Sequence, residues 1–249
     1  MKKILSILLL TFIALTITAQ SDFLTEQKKY KRVRTAINDK EQLVLHKLKE
    51  KSIELGELNI LILAYKYENE VEIFAKKKTE LTYKKLATYS ICSKSGQLGP
   101  KRKQGDYQVP EGFYFIDRFN PASSFHLSLG INYPNLSDKR KSNATNLGGD
   151  IFIHGSCVTI GCLPMTDDKI KEIYLYAINA KNNGQKRIPF YIFPFRMTKQ
   201  KFKEYKAKYS NKTELIDFWI NLKLGYDKFE KEKKELIVSV NKTGNYIIQ

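Results

Sequence analysis

Histidine, cysteine and tryptophan are scarce: 249 residues carry three His, three Cys and one Trp. Three cysteines cannot build the dense disulfide framework of a small secreted scaffold. No zinc-finger spacing exists among the Cys and His, and no fourth ligand completes a cluster, so no metal or other cofactor is expected. Acidic residues are also few, 26 against 43 Lys and Arg, which leaves a formal net charge of +17. Beyond the first twenty residues no apolar run is long enough to span a bilayer. Internal repeats, low-complexity tracts and long linkers are missing. Patterns of the RNP, zinc-finger and helix-turn-helix types are missing too, so nucleic acid is not the expected partner of this basic chain.

What is present begins with Met1-Lys2-Lys3, an almost unbroken apolar run from Ile4 to Ile17, and Thr18-Ala19-Gln20. This is the layout of a secretory signal peptide over residues 1–20, and it predicts export to the periplasm or cell envelope with no stable membrane span after cleavage. Without Lys2 and Lys3 the net charge of +17 becomes +15. Outside the cytoplasm such a surface favours anionic partners: peptidoglycan stem carboxylates, phospholipid head groups or lipopolysaccharide.

Residues 21–56 read as an N-terminal helical segment, with Tyr30, Val33, Ile37, Leu45 and Leu48 at helical spacing and His46 on the exposed side. Residues 57–195 are strand-rich. Ile60–Tyr65, Val71–Ala75, part of Leu81–Ile91, Phe113–Ile116, Phe125–Leu129, Ile151–Ile153 and Ile188–Pro194 all read as strands, with His126 opposite Phe125 and Leu127. A glycine-punctuated loop covers residues 95–106, and 137–146 is polar and basic, an expected exposed excursion. Thr166 or Asp167 can cap a helix whose stripe is Ile170, Ile173, Tyr174, Ala177 and Ile178. Residues 196–249 add helices, one of them over Glu214–Leu224 with Trp219 on its apolar face, and a closing hairpin over Lys242–Asn245.

Chemistry concentrates in Ile153–Asp167. His154 lies eight residues before Cys162, which follows Thr159-Ile160-Gly161. A thiol beside an imidazole can be deprotonated and held as an ion pair. Gly161 leaves the backbone open beside the sulfur, and the N–H groups at Gly161 and Cys162 are candidate oxyanion donors. Thr159 and Gly155 are support residues. Against this stands burial, the commonest state of a cysteine. Cys157 could pair with Cys92 or Cys162, or be buried. An odd number of thiols in an oxidising compartment leaves at least one unpaired.

The ordered set Leu98-Gly99-Pro100-Lys101, Gly105-Asp106, Pro110-Glu111-Gly112-Phe113-Tyr114, Phe125-His126-Leu127-Ser128, Asn132-Tyr133-Pro134-Asn135, Ile153-His154-Gly155 and Thr159-Ile160-Gly161-Cys162 resembles the L,D-transpeptidase (YkuD) catalytic domain, and within it the YafK/DpaA-like branch. Tyr191–Thr198, Asp217-Phe218-Trp219 and Gly225-Tyr226-Asp227 resemble that branch as well. The resemblance implies a mainly β fold of YkuD β-sandwich type with helical additions at both ends. It implies Cys162 as nucleophile and His154 as base, attacking the L-centre carbonyl of diaminopimelate in a peptidoglycan stem peptide to form a thioester. Many members carry Arg two residues after the nucleophile, where this chain has Pro164. Arg there would grip a carboxylate bidentately, which proline cannot do.

That departure favours hydrolysis of an amide to an attached protein or peptide. The alternatives are a transpeptidase forming crosslinks or protein attachments, and a non-enzymatic cell-wall binding module. Substrate recognition is open to His126, Lys94, Lys101 and Arg102.

Overall fold

The strand Leu58–Tyr65 (β1) is apolar at nearly every position because both of its faces are covered. In a strand, alternate residues point to opposite sides. Ile60, Ile62 and Ala64 belong to one hydrophobic core, and Leu61, Leu63 and Tyr65 to another. Around β1 the computed structural model, which describes residues 22–249, builds one eight-stranded sheet. The other strands are Glu70–Lys77 (β2), Lys84–Ser90 (β3), Gly112–Asn120 (β4), Ser128–Ile131 (β5), Phe152–His154 (β6), Leu163–Pro164 (β7) and Ile188–Phe193 (β8). Their order is β3-β2-β1-β8-β4-β5-β6-β7. The β1–β8 and β6–β7 pairs are parallel; every other pair in the sheet is antiparallel.

One face is covered by the helices Phe23–Lys28 (α1), Lys31–Glu50 (α2) and Asp167–Asn182 (α4), with α2 packed on α4 and α4 on β1. Thr166 caps α4, its hydroxyl accepting from Lys169 N–H at 3.3 Å. The other face is covered by Lys199–Lys208 (α5), Thr213–Glu232 (α6) and a two-stranded ribbon of Val238–Val240 (β9) and Tyr246–Ile248 (β10). Trp219 is 1% exposed in this second core, edge-on to Phe195 and Tyr209. Complete burial of a large apolar side chain stabilises by roughly 2–3 kcal/mol. The expected mainly β core with helical additions at both ends is therefore present, and the additions serve as the two covering layers.

Three local expectations are corrected. The strand expected from Phe125 begins only at Ser128, because His126 has φ +66° and the chain turns there. The excursion at 137–146 instead opens with a helix, Leu136–Lys141 (α3), built on a capping box between Asn135 and Asp138. Ser137 and Asp138 are buried, and Ser137 Oγ donates to Gly244 O at 2.6 Å, which fastens α3 to the closing ribbon. Finally, α6 runs well past the expected end at Leu224 and stops where Lys233 turns left-handed. The expected signal peptide lies outside the described residues. Among the described residues no helix is long and apolar enough to cross a membrane.

Candidate active site

β6 delivers His154 and β7 receives the chain just after Cys162. Ile153 pairs with Leu163 and His154 with Pro164 in parallel register. Cys162 is the residue just before this pairing begins, next to Phe152 at the start of β6. Phe152 N–H donates to Cys162 Sγ at 3.4 Å.

Cys162 is the free cysteine; Cys92 and Cys157 are joined as a disulfide across 65 residues. The bridge ties the loop between His154 and Cys162 to the segment that leaves β3. Cys157 is exposed rather than buried, and its part is structural.

The loop before the nucleophile is organised by Thr159. Its Oγ1 accepts from Cys162 N–H at 2.9 Å and Gly161 N–H at 3.2 Å, and donates to Cys162 O at 2.8 Å. The hydroxyl thus ties the loop together, and both N–H groups expected as oxyanion donors hydrogen-bond to it in this structure. Gly161 sits at φ +141°, with the Gln108 carbonyl 3.2 Å from where a Cβ would stand. Glycine is required by conformation and by close approach. Gly155 is required by space, since a Cβ would lie 2.6 Å from Asp167 Oδ1 and 2.8 Å from His126 Cβ.

His154 is 2% exposed, and its Nδ1 lies 2.5 Å from Gly155 O. A carbonyl only accepts, so Nδ1 carries the proton and Nε2 is left with the lone pair of a base. Burial pushes the imidazole pKa down, against the smaller opposing effect of the Gly155 carbonyl. Burial pushes the Cys162 thiol pKa up; the Phe152 N–H opposes this, the Asp150 carboxylate reinforces it, and Lys101 opposes it more weakly. Both main shifts act toward neutral thiol and neutral imidazole and against the ion pair in the free protein.

Cys162 opens into a cavity of about 160 Å³, lined also by Leu163, Ser93, Lys94, Gln97 and Leu98. The expected cations divide there. Lys101 is 4% exposed and bonded to Asp106 at 2.6 Å and Lys103 O at 2.9 Å. Arg102 pairs with buried Asp138 at 3.0 Å and lies over the Phe218 ring. Both are engaged within the protein, and neither lines this cavity. Lys66, in the cavity wall, is held by Glu111 at 2.9 Å and by the carbonyls of Gly99 and Val109. Lys94 is exposed and is the lining cation without a partner among the described residues.

His126 does not line this cavity. It stands behind Gly155, with Nδ1 3.9 Å from Asp167 Oδ2. Burial lowers its pKa and Asp167 opposes. No group of three or more His, Cys, Asp or Glu that could hold a metal occurs among the described residues.

Sequence reading did not single out Asp150, whose backbone O accepts from Cys162 Sγ at 3.5 Å, or Asp167 Oδ1, which accepts from Ser156 N–H at 2.8 Å. A backbone carbonyl carries no residue signature, and Asp167 was visible only as a helix cap.

Residues 61–181 match the L,D-transpeptidase catalytic domain, YkuD. The protein named "Putative L,D-transpeptidase YafK" of Escherichia coli K12 is 39% identical over 191 residues, covering 76% of this chain and 73% of that one. Among solved structures, the helical cell shape determining protein Pgp2 from Campylobacter jejuni aligns with a TM-score of 0.44 at 17% identity, over 74% of this chain and 73% of that chain. Bd1075 of Bdellovibrio bacteriovorus aligns with a TM-score of 0.39 at 19% identity, over 77% and 76%. With a relative this similar over most of both lengths, and with the matched region containing the paired His154 and Cys162 strands, the chain belongs to the L,D-transpeptidase (YkuD) family.

Proposed function

We propose that the protein is an exported cysteine amidase of the cell envelope, hydrolysing the amide between a peptidoglycan stem peptide and an attached protein or peptide. Cys162 is the nucleophile and His154 the base. The thiol proton passes to His154 Nε2 as sulfur bonds to the L-centre carbonyl carbon of diaminopimelate. His154 returns the proton to the leaving amine, the C–N bond breaks and a thioester remains. Water, losing one proton to His154, then attacks the thioester; the C–S bond breaks, His154 returns that proton to Sγ, and the released acid loses its own proton to solvent as a free carboxylate.

The observation that carries hydrolysis over transfer is the lack of a committed acceptor grip beside the thiol. Pro164 is buried in β7, and Lys101, Arg102 and Lys66 are already bonded within the protein. Lys94 alone offers a loose, exposed charge. A second acidic stem peptide held that weakly has a low local concentration, while water is abundant.

Incubation with tetrapeptide muropeptides and, separately, with sacculi carrying bound protein, followed by mass spectrometry, tests this. Released protein and free stem carboxylates are expected. Dimers with a direct diaminopimelate–diaminopimelate bond, and no released protein, would show a transpeptidase instead.

A further inference from the structure

The ring of Phe125 lies over His154, with centroids 4.8 Å apart and planes at 35°. His154 is 2% exposed while Phe125 is 44% exposed. Phe125 therefore stands between the imidazole and solvent, one face wet and the other against the ring. The turn that carries it is held from several sides. Phe125 N–H donates to Ser123 Oγ at 3.0 Å, and Gly155 N–H to Leu127 O at 3.1 Å. A Cβ on Gly155 would come within 3.0 Å of Phe125 O, so the turn sits directly on the His154–Gly155 backbone. From outside, Arg32 on α2 reaches across 94 residues of sequence and donates Nη1 to His126 O at 2.7 Å and also to Ser123 O.

We propose that Phe125 is a positioning residue for His154, fixing the imidazole plane and keeping water from its face, and that Arg32 holds the turn that carries it. The proposal rests on the reading of His154 as the base. It makes the N-terminal helical layer part of the site rather than a cover alone. The charged and titratable groups around this turn are Asp167 and Lys171 from α4, Arg32 from α2 and His126 within it, with Cys162 on the adjoining strand. Burial dominates the behaviour of His154 itself. Taking the ring away restores water and moves the imidazole toward its ordinary titration.

The test uses the intact protein and two readouts. One is the NMR titration of the three imidazoles, assigned with His46→Gln and His126→Gln. The other is the pH profile of amide hydrolysis. Phe125→Ala is expected to raise the His154 midpoint by at least about half a pH unit. The acidic limb of kcat/KM moves up with it, and kcat at neutral pH falls about tenfold with KM within about twofold. Phe125→Tyr keeps both near the parent, and should Phe125→Ala not fold, Phe125→Leu takes its place with the same expected direction.

Arg32→Ala shifts the midpoint in the same sense. Arg34→Ala, which removes the same charge from α2 but only the bonds to Lys28 O and Lys29 O, does not. An unmoved His154 midpoint in Phe125→Ala overturns the positioning role, and Arg32→Ala indistinguishable from Arg34→Ala overturns the part given to α2. The titration needs no turnover, so failure of the catalytic reading itself shows separately, as activity that survives in His154→Gln.

Discussion

The thiol of Cys162, one residue before β7, donates to Asp150 O at 3.5 Å, and Nδ1 of His154, at the end of β6, donates to Gly155 O at 2.5 Å. Each resting proton is directed to a backbone carbonyl and not across the pair. A carbonyl inserted between the two would have to draw the thiol away from Asp150 before transfer to Nε2. Catalytic hydrogen bonds often tighten only in the substrate complex. Together with the directions in which burial moves both groups, this fits the proposed nucleophile being a thiol that stays quiet until substrate arrives.

The free enzyme should therefore alkylate slowly at neutral pH. With the Cys162 thiol raised above its ordinary value, iodoacetamide labelling should be slower than that of an unstructured cysteine peptide and should keep climbing above pH 9. A fast reaction that plateaus below pH 7 would show a standing thiolate instead.

Cys162→Ala should abolish turnover while costing the fold no more than about 1 kcal/mol, since the half-buried thiol's hydrogen bonds, to Phe152 N–H and Asp150 O, are weak ones to sulfur. Thr159→Ala removes the acceptor of two N–H groups and one donor, and should cost about 1–3 kcal/mol along with most activity, while Thr159→Ser retains both. Full turnover in Cys162→Ala, measured by release of stem carboxylate, would sink the nucleophile assignment.

Replacing both Cys92 and Cys157 by Ser opens a covalent loop of 65 residues' separation. Denaturant unfolding should report a loss of about 2–4 kcal/mol. Activity should persist in large part while the protein remains folded, because neither sulfur takes part in chemistry. Abolished activity in a folded double variant would place one of them in the mechanism.

Trp219→Phe should destabilise by about 1–3 kcal/mol beyond what lost packing explains. The indole N–H donates to Glu111 Oε2 at 2.8 Å, while Oε1 serves Gly99 N–H at 2.7 Å and Lys66 at 2.9 Å. This fully buried carboxylate joins α6 to the loop that walls the cavity. Urea denaturation of Trp219→Phe and of Trp219→Phe with Glu111→Gln separates the two contributions. With Glu111→Gln alone completing the cycle, losses that simply add would mean the hydrogen bond contributes nothing.

Stability should also fall with rising pH in one window. Burial raises the Asp138 carboxyl from 3.8 to about 6, against Arg102, Asn135 N–H and Tyr114 OH, which lower it. The folded state thus holds this proton more tightly than the unfolded chain. Its contribution is complete below about pH 4 and is lost as pH rises through 6, on the order of 3 kcal/mol in all. Asp138→Asn should flatten unfolding free energy across that window, and a slope identical to the parent's would remove Asp138 as its source.

Patterns of short range were legible in the sequence. The apolar run of β1, the Thr166 cap, the stripe of α4 and the hairpin over Lys242–Asn245 depend on neighbours a few residues apart, and all stand in the structure. His154 and Cys162 were legible as a pair because only eight residues and one short loop separate them. Whether each is free to act was decided by partners distant in the chain. Lys101 and Arg102 looked like surface cations until Asp106 and the capping-box Asp138 claimed them. Cys157 had two possible partners until the sheet brought the end of β3 beside its loop. Phe125 was one more strand residue until a left-handed His126 turned its ring onto His154. Sequence spacing determines which groups can share a local element, because backbone periodicity is intrinsic to the chain. Protonation, pairing and water access follow from long-range packing, which only the folded sheet and its two helical layers supply.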